Sequence, residues 1–264
     1  MSAIRDLQAI DVHAHFGVSR SEGSALKRRF MSADPRTVAD RAERANTRLS
    51  FVSPLRALMP RCGADPVSGN EEAAEAVAQD DRLRQWVVVD PLKRETLEQT
   101  ADMLALSRCV GIKIHPEEHG YSIVEQGRTL FEFAAERDAI VLAHSGDQNS
   151  MPEDFVGFAD AFPEMTLILS HLGCGWDDNP THQVRAIQAC KNGNVLVDTS
   201  SAANLTPNLI EWAVGEIGAD RMLFGTDSPL YSAPMQRARI DHAEIDDDDK
   251  RRILFENAEE LFDL

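Results

Sequence analysis

The sequence predicts an α/β protein, a (β/α)8 TIM barrel, on two observations. Short β-branched runs alternate with amphipathic stretches along the whole chain, and the runs number eight. They lie at 8–13, 48–53, 85–90, 110–115, 139–144, 165–171, 194–198 and 221–227. Each is short and nearly continuous in Val, Ile and Leu, the composition of strands covered on both faces of a parallel sheet. Helical spacing fills the intervals, at 35–46, 70–81, 94–107, 127–138, 152–162, 181–191, 206–218 and 246–262. The first of these opens with Pro35 after Asp34 as its cap. The last opens on four aspartates, Asp246 to Asp249, which suit the positive end of a helix. A doubly wound open sheet is the rival, but the first turn, "VHAHFG", lacks its glycine-rich pattern. No charge run or Pro/Ser-rich linker interrupts the chain, so residues 1–264 read as one domain.

Charge narrows the partners. Lys and Arg number 27 against 44 Asp and Glu, a formal charge of −17. Such a surface repels nucleic-acid phosphates and anionic lipid, leaving a small molecule as the expected partner. An anionic substrate stays open, because a metal and a few local cations can reverse the field inside a pocket. Cys62, Cys109, Cys174 and Cys190 are far apart and read as reduced thiols. The opening "MSAIRDLQAID" lacks the apolar core of a signal peptide, and no run approaches a bilayer span. The expectation is a soluble cytoplasmic protein, with a homodimer as the commonest assembly for such a chain.

In a parallel barrel the chemistry sits at the carboxyl ends of the strands, and here those ends are polar. His13 closes the first run with His15 just beyond it, His115 closes the fourth, His144 the fifth, His171 the sixth and Asp227 the eighth. Residues i and i+2 of a strand face the same way, so His13 and His15 both point into the barrel mouth. His144 would add a third nitrogen and Asp227 an anionic oxygen. This mixed set suits Zn²⁺, with Mn²⁺ or Fe²⁺ as alternatives. A bound water there would have its pKa lowered from roughly 15.7 to about 7. His171 lies further round the barrel, where a general acid/base or an electrophile is the better role. Trp176 follows the sixth run and Arg20, Lys27, Arg28 and Arg29 the first, each able to meet a substrate or merely to line a loop.

"DVHAH", "GIKIHP", "LAHSG", "LSHLGCGW", "LFGTDSP" and the closing "ENAEELF" together resemble the amidohydrolase superfamily. More closely they resemble its amidohydrolase-related branch, which includes the aminocarboxymuconate-semialdehyde decarboxylase type. The resemblance runs over nearly the whole chain in the correct order. It implies a barrel with one catalytic divalent metal held by His13, His15, His144 and Asp227, with His171 activating water or polarising the substrate. Binuclear members carry a carbamylated lysine at the end of strand four. Lys113 stands two residues short of that end, with His115 at it, so the mononuclear reading leads.

Three functions follow. The first is a metal-dependent hydrolase, in which metal-activated water attacks a carbonyl-type carbon with His171 and Asp227 moving the proton. The second keeps the site and makes it a non-oxidative decarboxylase of a small carboxylic acid. The third is a catalytically silent barrel that serves as a binding protein.

Overall fold

The computed structural model describes residues 4–20, 22–59, 65–200 and 205–264, so Cys62 lies outside the described residues. Eight parallel strands pair in sequence order: β1 (Ala9–Phe16), β2 (Thr47–Pro54), β3 (Leu83–Val88), β4 (Cys109–Ile114), β5 (Ile140–Ala143), β6 (Thr166–Leu169), β7 (Val195–Asp198) and β8 (Met222–Leu223). Backbone bonds from Val12 N to Phe224 O (2.9 Å) and from Asp227 N to His13 O (2.7 Å) bring the last strand back to the first. This is the expected (β/α)8 barrel.

Helices α1 (Ala25–Phe30) and α2 (Pro35–Arg44) follow β1; α3 (Leu55–Leu58) and α4 (Pro66–Gln79) follow β2; α5 (Arg94–Met103) follows β3. Next come α6 (Pro116–His119), α7 (Ile123–Ala135), α8 (Pro152–Ala161), α9 (His182–Ala189) and α10 (Leu209–Ile217). After β8 come α11 (Ala233–Asp241), α12 (Asp247–Arg251) and α13 (Asn257–Phe262). The Asp34 carboxylate does cap α2, accepting from Thr37 N at 2.8 Å. The stretch expected to be one helix at 246–262 is divided by a π-helical turn, Arg252–Glu256. That turn presses Ile253 and Leu254 into the apolar layer between barrel and helices. The short helices α1, α3 and α6 and the weakly amphipathic α11 carry too little periodicity to announce themselves. Among the described residues, no helix is long and apolar enough to cross a membrane.

Two of the register irregularities shape the barrel interior. The register of β1 on β2 runs Asp11 to Ser50 and then Ala14 to Val52, a slip of one residue. Ile10 below it and Val12 within it join the interior cluster of Phe51, Trp86, Leu142 and Ile168. Above it, His13 and His15 face the mouth. Bulges commonly re-aim side chains in this way beside active sites. The second slip, between β3 and β4, sits at Gly111 (φ +150°), where a Cβ would lie 2.3 Å from Ile140 O and 2.7 Å from the Trp86 ring. Glycine there makes room for the fully buried indole, whose N–H donates to Val12 O at 2.8 Å. Phe51, Trp86 and Phe262 then close the barrel floor in T-shaped contacts of 4.7 to 6.1 Å.

Candidate metal centre

A cavity of about 970 Å³ opens at the carboxyl ends of the strands. The predicted residues His13, His15, His144, His171 and Asp227 all line it. Three of them converge. His15 Nε2 lies 2.9 Å from Asp227 Oδ1 and His13 Nε2 lies 3.8 Å from the same oxygen, all three residues being buried.

The orientation of both rings is fixed from behind. His13 Nδ1–H donates to Asp198 Oδ2 at 2.8 Å, and His15 Nδ1–H to Ser53 Oγ at 2.8 Å. Each neutral ring therefore keeps its lone pair on Nε2, the atom turned toward Asp227. Burial, and then the ammonium of Lys113, hold His13 well below the ordinary imidazole range, in keeping with a neutral ring. Burial works to raise the Asp227 carboxyl, yet the ring contacts of His15 and His13 and the Lys113 ammonium keep it below its ordinary value. Two neutral imidazole nitrogens and one carboxylate oxygen, buried and converging, fit a divalent cation.

The other expected residues stand differently. His144 turns its Nε2 to Asp147 Oδ2 at 2.7 Å and its Nδ1 to His171 Nε2 at 3.1 Å, so it lies outside the converging group. The His171 ring continues to Ser200 Oγ at 2.8 Å, and Ser200 donates to Asp198. His171 and Asp227 both hold left-handed backbone (φ 71° and 56°), an uncommon conformation that concentrates at functional sites. Lys113 reaches the centre from β4, its Nζ 3.2 Å from His13 Nε2, and burial pushes it down to about 8. Among the described residues lining the cavity it is the one Lys or Arg. Lys27, Arg28 and Arg29 ride on the exposed face of α1 instead. Trp176 does line the mouth.

Residues 10–264 match the amidohydrolase family. The chain belongs to that family. The barrel of this amidohydrolase is shared at nearly full length with solved structures. One is a 2,6-dihydroxybenzoate decarboxylase from Rhizobium, with a TM-score of 0.76 and 16% identity over 97% of this chain and 99% of that one. Another is a dihydroxybenzoic acid decarboxylase from Polaromonas sp. JS666, solved with manganese and 2-nitroresorcinol, with a TM-score of 0.71 and 18% identity over 98% and 97%. At these identities the likeness concerns the fold. In sequence, a gamma-resorcylate decarboxylase from Polaromonas sp. is 30% identical over 122 residues, 41% of this chain and 37% of that protein. The aligned part is thus little more than a third of that relative.

Five residues around the centre escaped the sequence reading: Asp198, Ser53, Ser200, Asp147 and Asp11. Asp198 carried a signal, since "NVLVD" ends a strand on a carboxylate just as the other runs end on histidine. Asp11 accepts from His13 N, Thr226 N and Thr226 Oγ1, joining β1 to the loop that bears Asp227. Burial pushes its carboxyl up to about 7 against those hydrogen bonds.

Proposed function

We propose that this amidohydrolase is a metal-dependent, non-oxidative decarboxylase of a small aromatic carboxylic acid. The observation that carries the reading is the hydrogen-bonded row running from the half-exposed Asp147 through His144 to His171, where it ends against the donor cluster. Decarboxylation breaks one C–C bond, leaves the electron pair on the ring carbon and needs one proton there in return. It consumes no water. A row of imidazoles open to solvent at one end suits that delivery.

A divalent cation held by His13, His15 and Asp227 would supply electrophilic polarisation of a substrate oxygen. Zn²⁺ and Mn²⁺ both suit the donors, and manganese accompanies the Polaromonas decarboxylase. The Lys113 ammonium draws the substrate carboxylate toward the same end of the cavity. His171 holds the proton at Nε2 for the ring carbon, His144 Nδ1–H replaces it, and Asp147 collects the next from solvent. Burial, and then His13, hold His171 well below the ordinary imidazole range, so a proton placed on it is readily given up. The activities of the relatives named above, all aromatic-acid decarboxylases, favour this reading over hydrolysis.

The test offers hydroxylated benzoates and, separately, esters, lactones and amides to the protein loaded with Mn²⁺ or Zn²⁺. Release of CO₂ with formation of the decarboxylated arene, abolished by a chelator, is expected. Ester or amide turnover with no CO₂ from any aromatic acid overturns the reading.

A further inference from the structure

His115 takes no part in the scheme above, yet its geometry is highly determined. It follows the last residue of β4, two positions after Lys113, so both side chains enter the barrel. The ring is buried and lines the cavity. His115 also caps α6: its Nδ1 accepts the backbone N–H of Glu118 at 3.4 Å. A neutral imidazole whose Nδ1 is the acceptor carries its proton on Nε2. Among the described residues, Nε2 has no hydrogen-bond partner. The ring is pinned flat on His144, with centroids 3.8 Å apart and planes at 11°.

From there a line of imidazoles leads back to the metal centre, His144 to His171 at 4.9 Å, His171 to His13 at 4.9 Å and His13 to His15 at 5.1 Å. His115 ends the line opposite His15. We infer that His115 is a specificity-determining residue, donating Nε2–H to an oxygen substituent on the side of the aromatic ring remote from the carboxylate. The assignment rests on the aromatic-acid reading above. With its carboxylate held at Lys113 and the donor cluster, a flat ring lies along the imidazole line between apolar walls that include Leu58, Met59 and Leu230. Glu117, Glu118 and Asp147 also border the cavity, and as carboxylates they accept rather than donate. Among the described imidazoles of the line, His115 is the one with an N–H left over, and that N–H matches an acceptor on the substrate. A ring without one leaves a desolvated N–H unpaired, which is how such a donor discriminates.

The test measures binding of 3,4-dihydroxybenzoate and of benzoate to the Mn²⁺-loaded protein by calorimetry, with metal content and thermal unfolding recorded for each variant. His115→Phe keeps a flat ring over His144 and loses both nitrogens. His115→Asn keeps an acceptor for the α6 cap and loses the reach into the cavity. Wild type should bind 3,4-dihydroxybenzoate more tightly than benzoate. Both variants should weaken 3,4-dihydroxybenzoate roughly three- to tenfold and leave benzoate within about twofold, metal content unchanged. Equal losses for both ligands, a loss in His115→Phe alone, or a wild type that does not prefer the dihydroxylated ring overturns the assignment; the last outcome needs no variant to fold. A wild type that binds neither ligand removes the aromatic-acid reading itself, and the inference with it.

Discussion

Asp198→Asn exchanges one atom at the back of the metal centre and should weaken metal binding far more than its size suggests. Asp198 accepts from His13 Nδ1 (2.8 Å), His171 N (3.0 Å), Ser200 N (2.9 Å) and Ser200 Oγ. In the variant, the amide oxygen can still take the donors that meet Oδ1. The amide nitrogen replaces Oδ2 and faces His13 Nδ1 with a second N–H. The clash is relieved when His13 moves its proton to Nε2, and that proton then covers the lone pair aimed at Asp227. Loss of such an orienting partner typically costs 10- to 100-fold in metal affinity, about 1.4 to 2.7 kcal/mol. A charge-assisted hydrogen bond is worth about 1.5–3 kcal/mol, which agrees. The assay is Zn²⁺ or Mn²⁺ competition against a chromophoric chelator, with circular dichroism to verify the fold. Asp227→Asn, which alters a ligand atom directly, should lose more. A folded Asp198→Asn protein that binds metal within about twofold of wild type refutes the tautomer argument. A loss exceeding that of Asp227→Asn would place Asp198 itself among the ligands.

Three further outcomes are expected. Asp147→Asn should lower kcat at least ~10-fold with little change in KM or metal content, because it interrupts proton supply at the solvent end of the row; an unchanged kcat removes the row from the mechanism. Trp86→Phe should destabilise by about 2–4 kcal/mol in chemical denaturation, from the void left in the barrel floor and the stranded Val12 carbonyl, and a cost under about 1 kcal/mol contradicts that packing. Tyr121→Phe should be neutral or stabilising at pH 7, since the buried phenol has no hydrogen-bond partner among the described residues. Burial, and then Asp90, hold that phenol well above its ordinary range. Its share of the stability is therefore complete below the unfolded value of about 10 and is lost as pH rises beyond it. Alkaline unfolding should begin at lower pH in wild type than in Tyr121→Phe; coincident curves refute the assignment.

The barrel was legible because its strands are buried on both faces and announce themselves as apolar runs, and the polar residues ending those runs marked the mouth. Asp198 was equally visible, as the carboxylate ending "NVLVD", but it became meaningful only once His13 Nδ1 was seen to face it. Ser53, Ser200 and Asp147 are single polar residues in ordinary loop or strand-end chemistry, and nothing short of the closed barrel says which imidazole each one meets. The pairing of His144 with Asp147 depends on how the loop after β5 turns, which local sequence preference does not fix.

The inward aim of His13 and His15 shows the limit most sharply. Strict alternation along β1, started from the interior residues Ile10 and Val12, would turn both histidines outward. They face the mouth because the strand gains one residue against β2 between Asp11 and Ala14. The carbonyl of Val12, at that slip, is taken by the Trp86 indole, and Trp86 fits only because Gly111 carries no side chain. The donor pair at the metal centre thus depends on a tryptophan and a glycine from β3 and β4. A periodicity rule gave the shared direction of the two histidines, whereas a break in that rule, stabilised from across the barrel, gave the direction itself.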